Sequence, residues 1–334
     1  MSDQLQNSPE IFLNLNVRGL PQSATLAINE KCQKLEESGR HIYKLGLGQS
    51  PFPVPEPVVQ ALRANAHRKQ YLPVKGLPEL RSSVANYYHR TQGIECSGED
   101  VLIGPGSKEL MFLIQLVYYG DLVIPTPSWV SYAPQANIIG RHVRWLPTDA
   151  DNDWRLTADE LEMLCQKDLG RPRIVILNYP ANPTGRTYSE DELKSIAKVA
   201  RNNRVVLLSD EIYGELHHDG QHISIARFYP EGTIVSGGLS KWCGAGGWRL
   251  GTFVFPKSLH WLMDAMAVVA SETYTSTSAP IQYAAVRAFH GGIRIERYLW
   301  NSRRILKALG DYIAENLKVS DIKVSCPQGA FYLF

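Results

Sequence analysis

The sequence predicts an α/β fold in which a mainly parallel sheet is covered by helices on both faces. Short runs of almost entirely apolar residues alternate with amphipathic segments of helical periodicity. Each apolar run ends in a loop that is rich in glycine, proline or polar residues. Buried parallel strands show this pattern, and α/β sheets bind ligands beyond the carboxyl ends of their strands. We therefore expect one edge of one sheet to carry a ligand site.

The composition narrows the choice of ligand. The 334 residues include 35 basic and 33 acidic side chains, so that the formal net charge is only +2. This balance argues against nucleic acid or an anionic membrane as a partner and favours a small molecule. Residues 1–10 are polar and acidic, and no stretch has the ~18–20 apolar residues of a membrane span, which predicts a cytoplasmic protein. The five scattered cysteines contain no CxxC pair, so neither a metal site nor a disulfide framework is predicted.

The first elements are helices around a proline-rich loop. Helices are predicted at residues 23–37, 57–67 and 77–88. A strand is predicted at residues 42–48, before a loop whose prolines prevent it from joining a sheet ladder. Gly48 ends this strand, and it either brings backbone close to a ligand or is an ordinary turn glycine.

The next elements predict a phosphate site. A strand at residues 101–103 leads through Gly104-Pro105-Gly106-Ser107 into a helix at residues 108–118. The free N–H groups at a helix N-terminus and the helix dipole both favour an anion. The turn matches neither a Walker A loop nor GxGxxG, so ordinary turn chemistry remains the alternative.

The later strands lead to polar and aromatic side chains. They are predicted at residues 122–124, 173–177 and 205–208, and they end near Trp129, Asn182 and Asp210. Ser189 opens a capping box for a helix that follows the second of these strands. Lys241 follows a further apolar strand, in a Ser/Gly-rich turn that is an unusual place for a solubilising charge. A long helix is predicted at residues 293–317, with strand-like runs at 322–324 and 329–334.

Three motifs together carry a family resemblance. Asn182-Pro183-Thr184-Gly185 follows one predicted strand, Asp210-Glu211-Ile212-Tyr213 ends the next, and Ser240-Lys241 precedes Gly247-Trp248-Arg249. This set resembles the fold type I pyridoxal-phosphate enzymes, specifically the class I/II aminotransferases related to aspartate aminotransferase. The resemblance covers nearly the whole chain. It implies a mainly parallel seven-stranded sheet in a large domain, with a smaller α+β domain.

The resemblance also implies domain boundaries. Residues 1–50 would form an amino-terminal arm and the first part of the small domain, residues 51–292 the large cofactor-binding domain, and residues 293–334 the start of the carboxyl-terminal small domain. In this family an arginine that binds the substrate α-carboxylate follows a motif like Gly329-Ala330-Phe331-Tyr332. The sequence stops at Phe334, so we expect the carboxyl part of a longer protein to be missing.

The resemblance assigns catalytic roles to Lys241, Asp210 and Tyr213. Lys241 would hold pyridoxal phosphate as an internal aldimine and, once an amino acid displaces it, would move the α-proton to the cofactor. Asp210 would keep the pyridine nitrogen protonated. Tyr213 and Asn182 would donate to the phenolate oxygen, and Trp129 would stack on the pyridine ring. Taken singly, these residue types are equally typical of a surface charge, a helix cap, a turn or core packing.

Further residues are implied in binding. The cofactor phosphate would be held by Gly106, Ser107, Lys108, Ser240 and Arg249. Gly48 and Asn182 are implied at the substrate. Tyr71 resembles the tyrosine that reaches the phosphate of the neighbouring subunit, which implies a homodimer with shared active sites. The chain departs from many relatives at Gly238, where they carry Ser or Thr.

The implied reaction is transfer of an amino group from an amino acid to a 2-oxo acid, through the Lys241 aldimine and a pyridoxamine intermediate. Two alternatives stay open on the sequence. One is a pyridoxal-phosphate-dependent β-lyase or synthase of the same family, and the other is a cofactor-binding but inactive fragment or regulatory paralogue. The sequence does not distinguish aspartate, aromatic, alanine or branched-chain donors.

Overall fold

A computed structural model describes residues 12–334. Within that part of the chain one seven-stranded sheet forms, in the spatial order β1-β7-β6-β5-β4-β2-β3. The strands are β1 Val101–Gly104, β2 Asp121–Thr126, β3 Val143–Pro147, β4 Arg173–Asn178, β5 Val206–Asp210, β6 Thr233–Gly238 and β7 Gly251–Val254. β7 runs antiparallel to both of its neighbours, β1 and β6, and the other pairs of adjacent strands are parallel. The predicted mainly parallel, seven-stranded α/β sheet is confirmed.

Ten α-helices are described between residues 12 and 334. They are α1 Ala24–Glu37, α2 Glu56–Asn65, α3 Pro78–Gln92, α4 Ser107–Val117, α5 Tyr132–Ile138, α6 Ala158–Lys167, α7 Glu190–Asn202, α8 His260–Glu272, α9 Ala279–His290 and α10 Ile293–Leu317. The predicted capping box is present, because the Ser189 side chain accepts from the Glu192 N–H and the Glu192 side chain accepts from the Ser189 N–H. None of these helices is long and apolar enough to cross a membrane.

The sheet is buried on both faces because successive side chains of a strand point to opposite sides. In β5, Leu208 packs into the apolar cluster that includes Leu110 of α4 and Met266 of α8. Its neighbour Leu207 packs into the cluster that includes Leu193 of α7. All residues of β5 are buried, down to Asp210 at its carboxyl end. The same alternation decides on which side of the sheet the polar residues at the strand ends lie.

Three predicted strands are wrong. Residues 42–48 contain no strand, and neither do residues 322–324 or 329–334; Gly329 makes only an isolated bridge with His217. Around Gly329 the backbone bonds to irregular loops instead of a ladder, since its N–H donates to the Gly185 carbonyl at 3.1 Å. Apolar residues in these segments therefore do not indicate membership of the sheet, and two of them, Tyr43 and Leu45, are 80% and 93% exposed.

The division into a large and a small domain stays a prediction. The predicted amino-terminal arm lies partly outside the described residues, because these begin at Phe12. Two strands of the sheet, β3 and β7, have no counterpart among the predicted elements. β3 is only half-buried, and its Trp145 side chain is 51% exposed.

Candidate active site

The carboxyl ends of β4, β5 and β6 meet at the edge of an open cleft. Asn178 of β4 is paired with Asp210 of β5, which is in turn paired with Ser236 of β6. The cleft has a volume of about 490 Å³. It brings together most of the residues singled out from the sequence, namely Gly48, Ser107, Lys108, Trp129, Asn182, Asp210, Tyr213, Ser240, Lys241 and Arg249.

Asp210 is a buried carboxylate that faces this cleft. It accepts hydrogen bonds from the Tyr132 hydroxyl at 2.6 Å and from the Ser236 hydroxyl at 3.2 Å. The Ile212 N–H approaches it at 3.4 Å. Burial raises its pKa, whereas these donors and the nearby Lys241 charge act in the opposite direction. The site thus holds a desolvated acid that a cation in the cleft would keep ionised.

Lys241 lies three residues beyond the end of β6. Its Nζ donates to the Gly48 carbonyl at 2.5 Å and lies 5.6 Å from the centre of the Tyr213 ring. Burial lowers the pKa of the amine to about 8; Asp210 raises it, and Arg249 lowers it further. A sizeable fraction of the amine is therefore neutral near physiological pH, which a nucleophile or a proton carrier requires.

Gly106 and Gly251 form a cradle free of side chains at the N-terminus of α4. Gly106 has a φ of 98°, and a Cβ there would overlap the Arg249 guanidinium. A Cβ on Gly251 would overlap the backbone of Gly106 and Ser107. Glycine at both positions therefore lets strand β7 and an exposed arginine approach the free N–H groups of the helix. This is the geometry of an anion site.

Lys108 and Trp129 form one side of the cleft. The Lys108 Nζ lies 5.6 Å from the centre of the Trp129 ring, and that ring meets the Tyr132 ring edge to face at 5.2 Å. Burial, and then the Arg249 charge, lower the pKa of Lys108. Trp129 thus presents a half-buried aromatic surface next to two cationic groups.

The sequence does not identify four residues that hold the site together, namely Tyr132, Asn178, Ser236 and Tyr332. Tyr132 and Asn178 support the predicted residues: Tyr132 binds Asp210, and the Asn178 side chain accepts from the Asn182 N–H at 2.7 Å. Tyr332 accepts from Asn182 Nδ2 at 3.1 Å and hydrogen-bonds to the Tyr213 hydroxyl. The spacing of Tyr132 from Trp129 and the polar end of β4 were available signals for the first two.

Tyr71 lies apart from the cleft. Its side chain is 88% exposed and does not line the cavity. Within the part of the chain that is described, it contributes nothing to this site. Its predicted role in a neighbouring subunit's site stays a prediction.

These residues fit pyridoxal phosphate. A helix N-terminus with a glycine cradle and Arg249 suits a phosphate, and a buried carboxylate suits a protonated ring nitrogen. A lysine with its pKa lowered to about 8 shares the cleft with both.

Comparison with known proteins decides the family. The sequence model of the family described as aminotransferase class I and II matches residues 40–334. The chain belongs to this family. It is 33% identical to the aspartate aminotransferase of Geobacillus stearothermophilus over 95% of its length and 81% of that protein's. It is 31% identical to the aspartate/prephenate aminotransferase of Thermus thermophilus, over 96% and 83% of the two lengths.

Solved structures agree with the sequence relatives. The aspartate aminotransferase from Thermus thermophilus with maleate superimposes with a TM-score of 0.90 at 29% identity, covering 97% of this chain and 85% of that one. An alanine aminotransferase from Pyrococcus furiosus gives a TM-score of 0.87 at 27% identity, covering 96% and 83%.

This class I/II aminotransferase is a pyridoxal-phosphate-dependent transaminase whose substrates are amino acids and oxo acids. The predicted family, cofactor and reaction are confirmed. The lyase, synthase and inactive alternatives are not favoured, because the relatives are named as transaminases.

Proposed function

We propose that this cleft carries out the amino transfer with Lys241 as both cofactor anchor and proton carrier. The observation that carries the proposal is an amine with a pKa lowered to about 8, in one cleft with the buried Asp210 and the cradle at Gly106. Each of these features destabilises the free protein or restricts its sequence, and together they suit one ligand.

Lys241 supplies the mobile proton. In its neutral form Nζ has the lone pair that would form the anchoring bond; once the amino group of the substrate has displaced it, the freed amine would take the α-proton of the bound amino acid. The Gly48 carbonyl, at 2.5 Å, holds the amine at the cleft wall. Bound pyridoxal phosphate supplies an electron sink for the electron pair that the α-carbon keeps.

The other residues of the cleft would bind and orient the cofactor and the substrate. Asp210 would keep a proton on the ring nitrogen, with Tyr132 and Ser236 fixing the carboxylate. Trp129 would cover a ring face, and Asn182 and Tyr213 would donate to the phenolate oxygen. The phosphate would be held by the remaining predicted residues, Gly106, Ser107, Lys108, Ser240 and Arg249. Gly48 and Asn182, which line the same cleft, would contact the amino-acid substrate.

We further propose a homodimer with shared sites, in which the exposed Tyr71 reaches the partner's phosphate site. A large tyrosine that is 88% exposed gains little in a monomer, and burial against a second copy would remove apolar area from water. A cytoplasmic location stays a prediction. The names of the relatives make aspartate the first amino donor to test.

The decisive variant is Lys241→Ala. We expect it to lose the absorption band of the protein-bound cofactor and to lower keto-acid formation ~10²–10⁴-fold across a panel of amino donors. Lys257 is an exposed lysine outside the cleft, so Lys257→Ala is the matched control. It should change neither the absorption band nor the rate of keto-acid formation. Full activity of Lys241→Ala would overturn the proposal.

A further inference from the structure

Tyr332 joins two residues that come from different loops. Its hydroxyl accepts a hydrogen bond from Asn182 Nδ2 at 3.1 Å and is hydrogen-bonded to the Tyr213 hydroxyl. Asn182 follows β4, and Tyr213 follows β5. The ring of Tyr332 packs edge to face on the Tyr213 ring with centres 5.5 Å apart. One side chain from the far end of the chain therefore connects both proposed phenolate donors.

The donors and acceptors around Tyr332 indicate which of the two hydroxyls, that of Tyr332 or that of Tyr213, donates in their hydrogen bond. Burial raises the pKa of Tyr332 to about 12 and that of Tyr213 well above its usual range, so both hydroxyls are protonated near neutral pH. The Tyr332 oxygen already accepts from Asn182, and among the described residues the only hydroxyl or carbonyl oxygen bonded to it is that of Tyr213. If Tyr332 donates to Tyr213, the Tyr213 proton is left for an acceptor in the cleft, and the cofactor's phenolate oxygen would be that acceptor.

Gly48 fixes the position of the Tyr332 hydroxyl from the other side. A Cβ at Gly48 would overlap that hydroxyl, so glycine is needed for the close approach. The carbonyl of the same Gly48 accepts from Lys241 Nζ at 2.5 Å. A single backbone position thus contacts both Tyr332 and the proposed anchor lysine.

We propose that Tyr332 is a positioning residue for the reaction, which donates its proton to Tyr213 and so aims the Tyr213 proton into the cleft. The inference rests on the proposed function of Tyr213 and Asn182. Asn182 Nδ2 carries a second N–H that its bond to Tyr332 does not use. Tyr332 itself does not touch the reacting atoms; it acts through Tyr213.

The test is the pH at which the bound cofactor changes colour. Losing a donor to the phenolate oxygen leaves more negative charge beside the imine nitrogen, so the imine holds its proton to higher pH. We expect Tyr332→Phe to raise this midpoint by roughly half a unit, as the loss of one hydrogen bond allows. Tyr213→Phe should raise it further, and the double variant should not exceed Tyr213→Phe alone.

The matched control is Tyr274→Phe. The Tyr274 hydroxyl is buried outside the cleft and has no described hydrogen-bond partner, so its removal should leave the midpoint unchanged. Thermal unfolding of each variant checks that the fold persists. A midpoint for Tyr332→Phe equal to that of Tyr274→Phe, with Tyr213→Phe still shifted, would overturn the inference alone. An unshifted Tyr213→Phe would instead overturn the proposed function of Tyr213.

A second pair of variants tests the contact with Gly48. Gly48→Ala should displace the Tyr332 hydroxyl and raise the midpoint in the same direction as Tyr332→Phe. In the Tyr332→Phe background the overlapping hydroxyl is absent, so Gly48→Ala should add little. Additive shifts in the double variant would show that Gly48 and Tyr332 act independently and would contradict the inference.

Discussion

Asp210 and Glu211 are neighbouring buried carboxylates at the end of β5, and they lie on opposite sides of the sheet. Asp210 faces the cleft and is bonded by neutral donors, chiefly Tyr132 and Ser236. Glu211 lies in a closed cluster, where it accepts from Ser224 Oγ at 2.6 Å and contacts His222 Nε2 at 2.8 Å. The two carboxylates therefore have different surroundings, because successive side chains along a strand point to opposite sides of the sheet.

The two carboxylates differ in the partners that the protein provides for them. Glu211 has a histidine partner within the protein, together with the Ser209 and Ser224 hydroxyls. Among the described residues Asp210 makes no direct ion pair, and burial raises its pKa. A carboxylate left in that state is prepared for a cationic group of a ligand, whereas a fully paired one stabilises the fold.

The largest expected effect is on the cleft side. Asp210→Asn keeps the size of the side chain but removes the charge, so we expect transamination to fall roughly 10²–10³-fold, as when one electrostatic partner of the reacting group is lost. The free energy of unfolding should change little, because the Asn side chain keeps the shape and its oxygen can still accept from Tyr132 and Ser236. Initial rates and thermal unfolding measure the two quantities. A variant with normal rates would show that Asp210 is not the ring partner.

For Glu211, on the other side of the strand, we expect a large effect on stability and little effect on cofactor binding. Glu211→Ala leaves His222, Ser209 and Ser224 without their acceptor, and we expect it to lower the free energy of unfolding by about 3 kcal/mol. The fraction that folds should still bind the cofactor and show its absorption band. Denaturant unfolding checks the first expectation. An unchanged stability together with lost cofactor binding would remove the distinction between the two carboxylates.

The lowered pKa of Lys241 makes the free energy of unfolding depend on pH. Its pKa is about 8 in the folded protein against an ordinary 10.5, so between these values the unfolded chain binds more protons than the native protein, and stability rises with pH. Without cofactor, Lys241→Met should be more stable than the native sequence by on the order of 2 kcal/mol below pH 8. This advantage should vanish as the pH approaches 10.5. A difference that does not vary with pH would contradict the lowered pKa.

The smallest expected effect concerns the support of Asp210. Tyr132→Phe removes the donor at 2.6 Å and should raise the pKa of Asp210 further. We expect activity to fall about five- to tenfold, which corresponds to the roughly 1 kcal/mol that a typical hydrogen bond contributes. Tyr274→Phe serves again as the control. If the loss with Tyr132→Phe equals that of the control, the Asp210 carboxylate is held by other contacts.

The sequence predicted what depends on local pattern. The capping box at Ser189, the helix at Ile293–Leu317 and the strand ending at Asp210 follow from periodicity and short motifs. The resemblance to the family selects Lys241, Arg249 and the other cleft residues. Their roles stay proposals until the variants are measured.

What the sequence did not reveal depends on tertiary contacts. Tyr132 and Tyr332 look like packing residues along the chain, and only the fold brings their hydroxyls to Asp210 and Tyr213. The apolar residues at 42–48 suggested a strand, but their backbone has no neighbouring strand with which to pair. Strand pairing and side-chain contacts between distant segments depend on the complete tertiary structure, so a short stretch of sequence does not predict them.

The central claim is that Lys241 anchors the cofactor beside Asp210. The protein is incubated with pyridoxal phosphate and then with borohydride, which reduces an imine to a stable amine, and the modified lysine is found by peptide mass spectrometry. The account predicts a single modification at Lys241, strongly reduced in Asp210→Asn and unchanged in Glu211→Gln. Modification at Lys108 or spread over exposed lysines such as Lys257, with Lys241 unmodified, would contradict it.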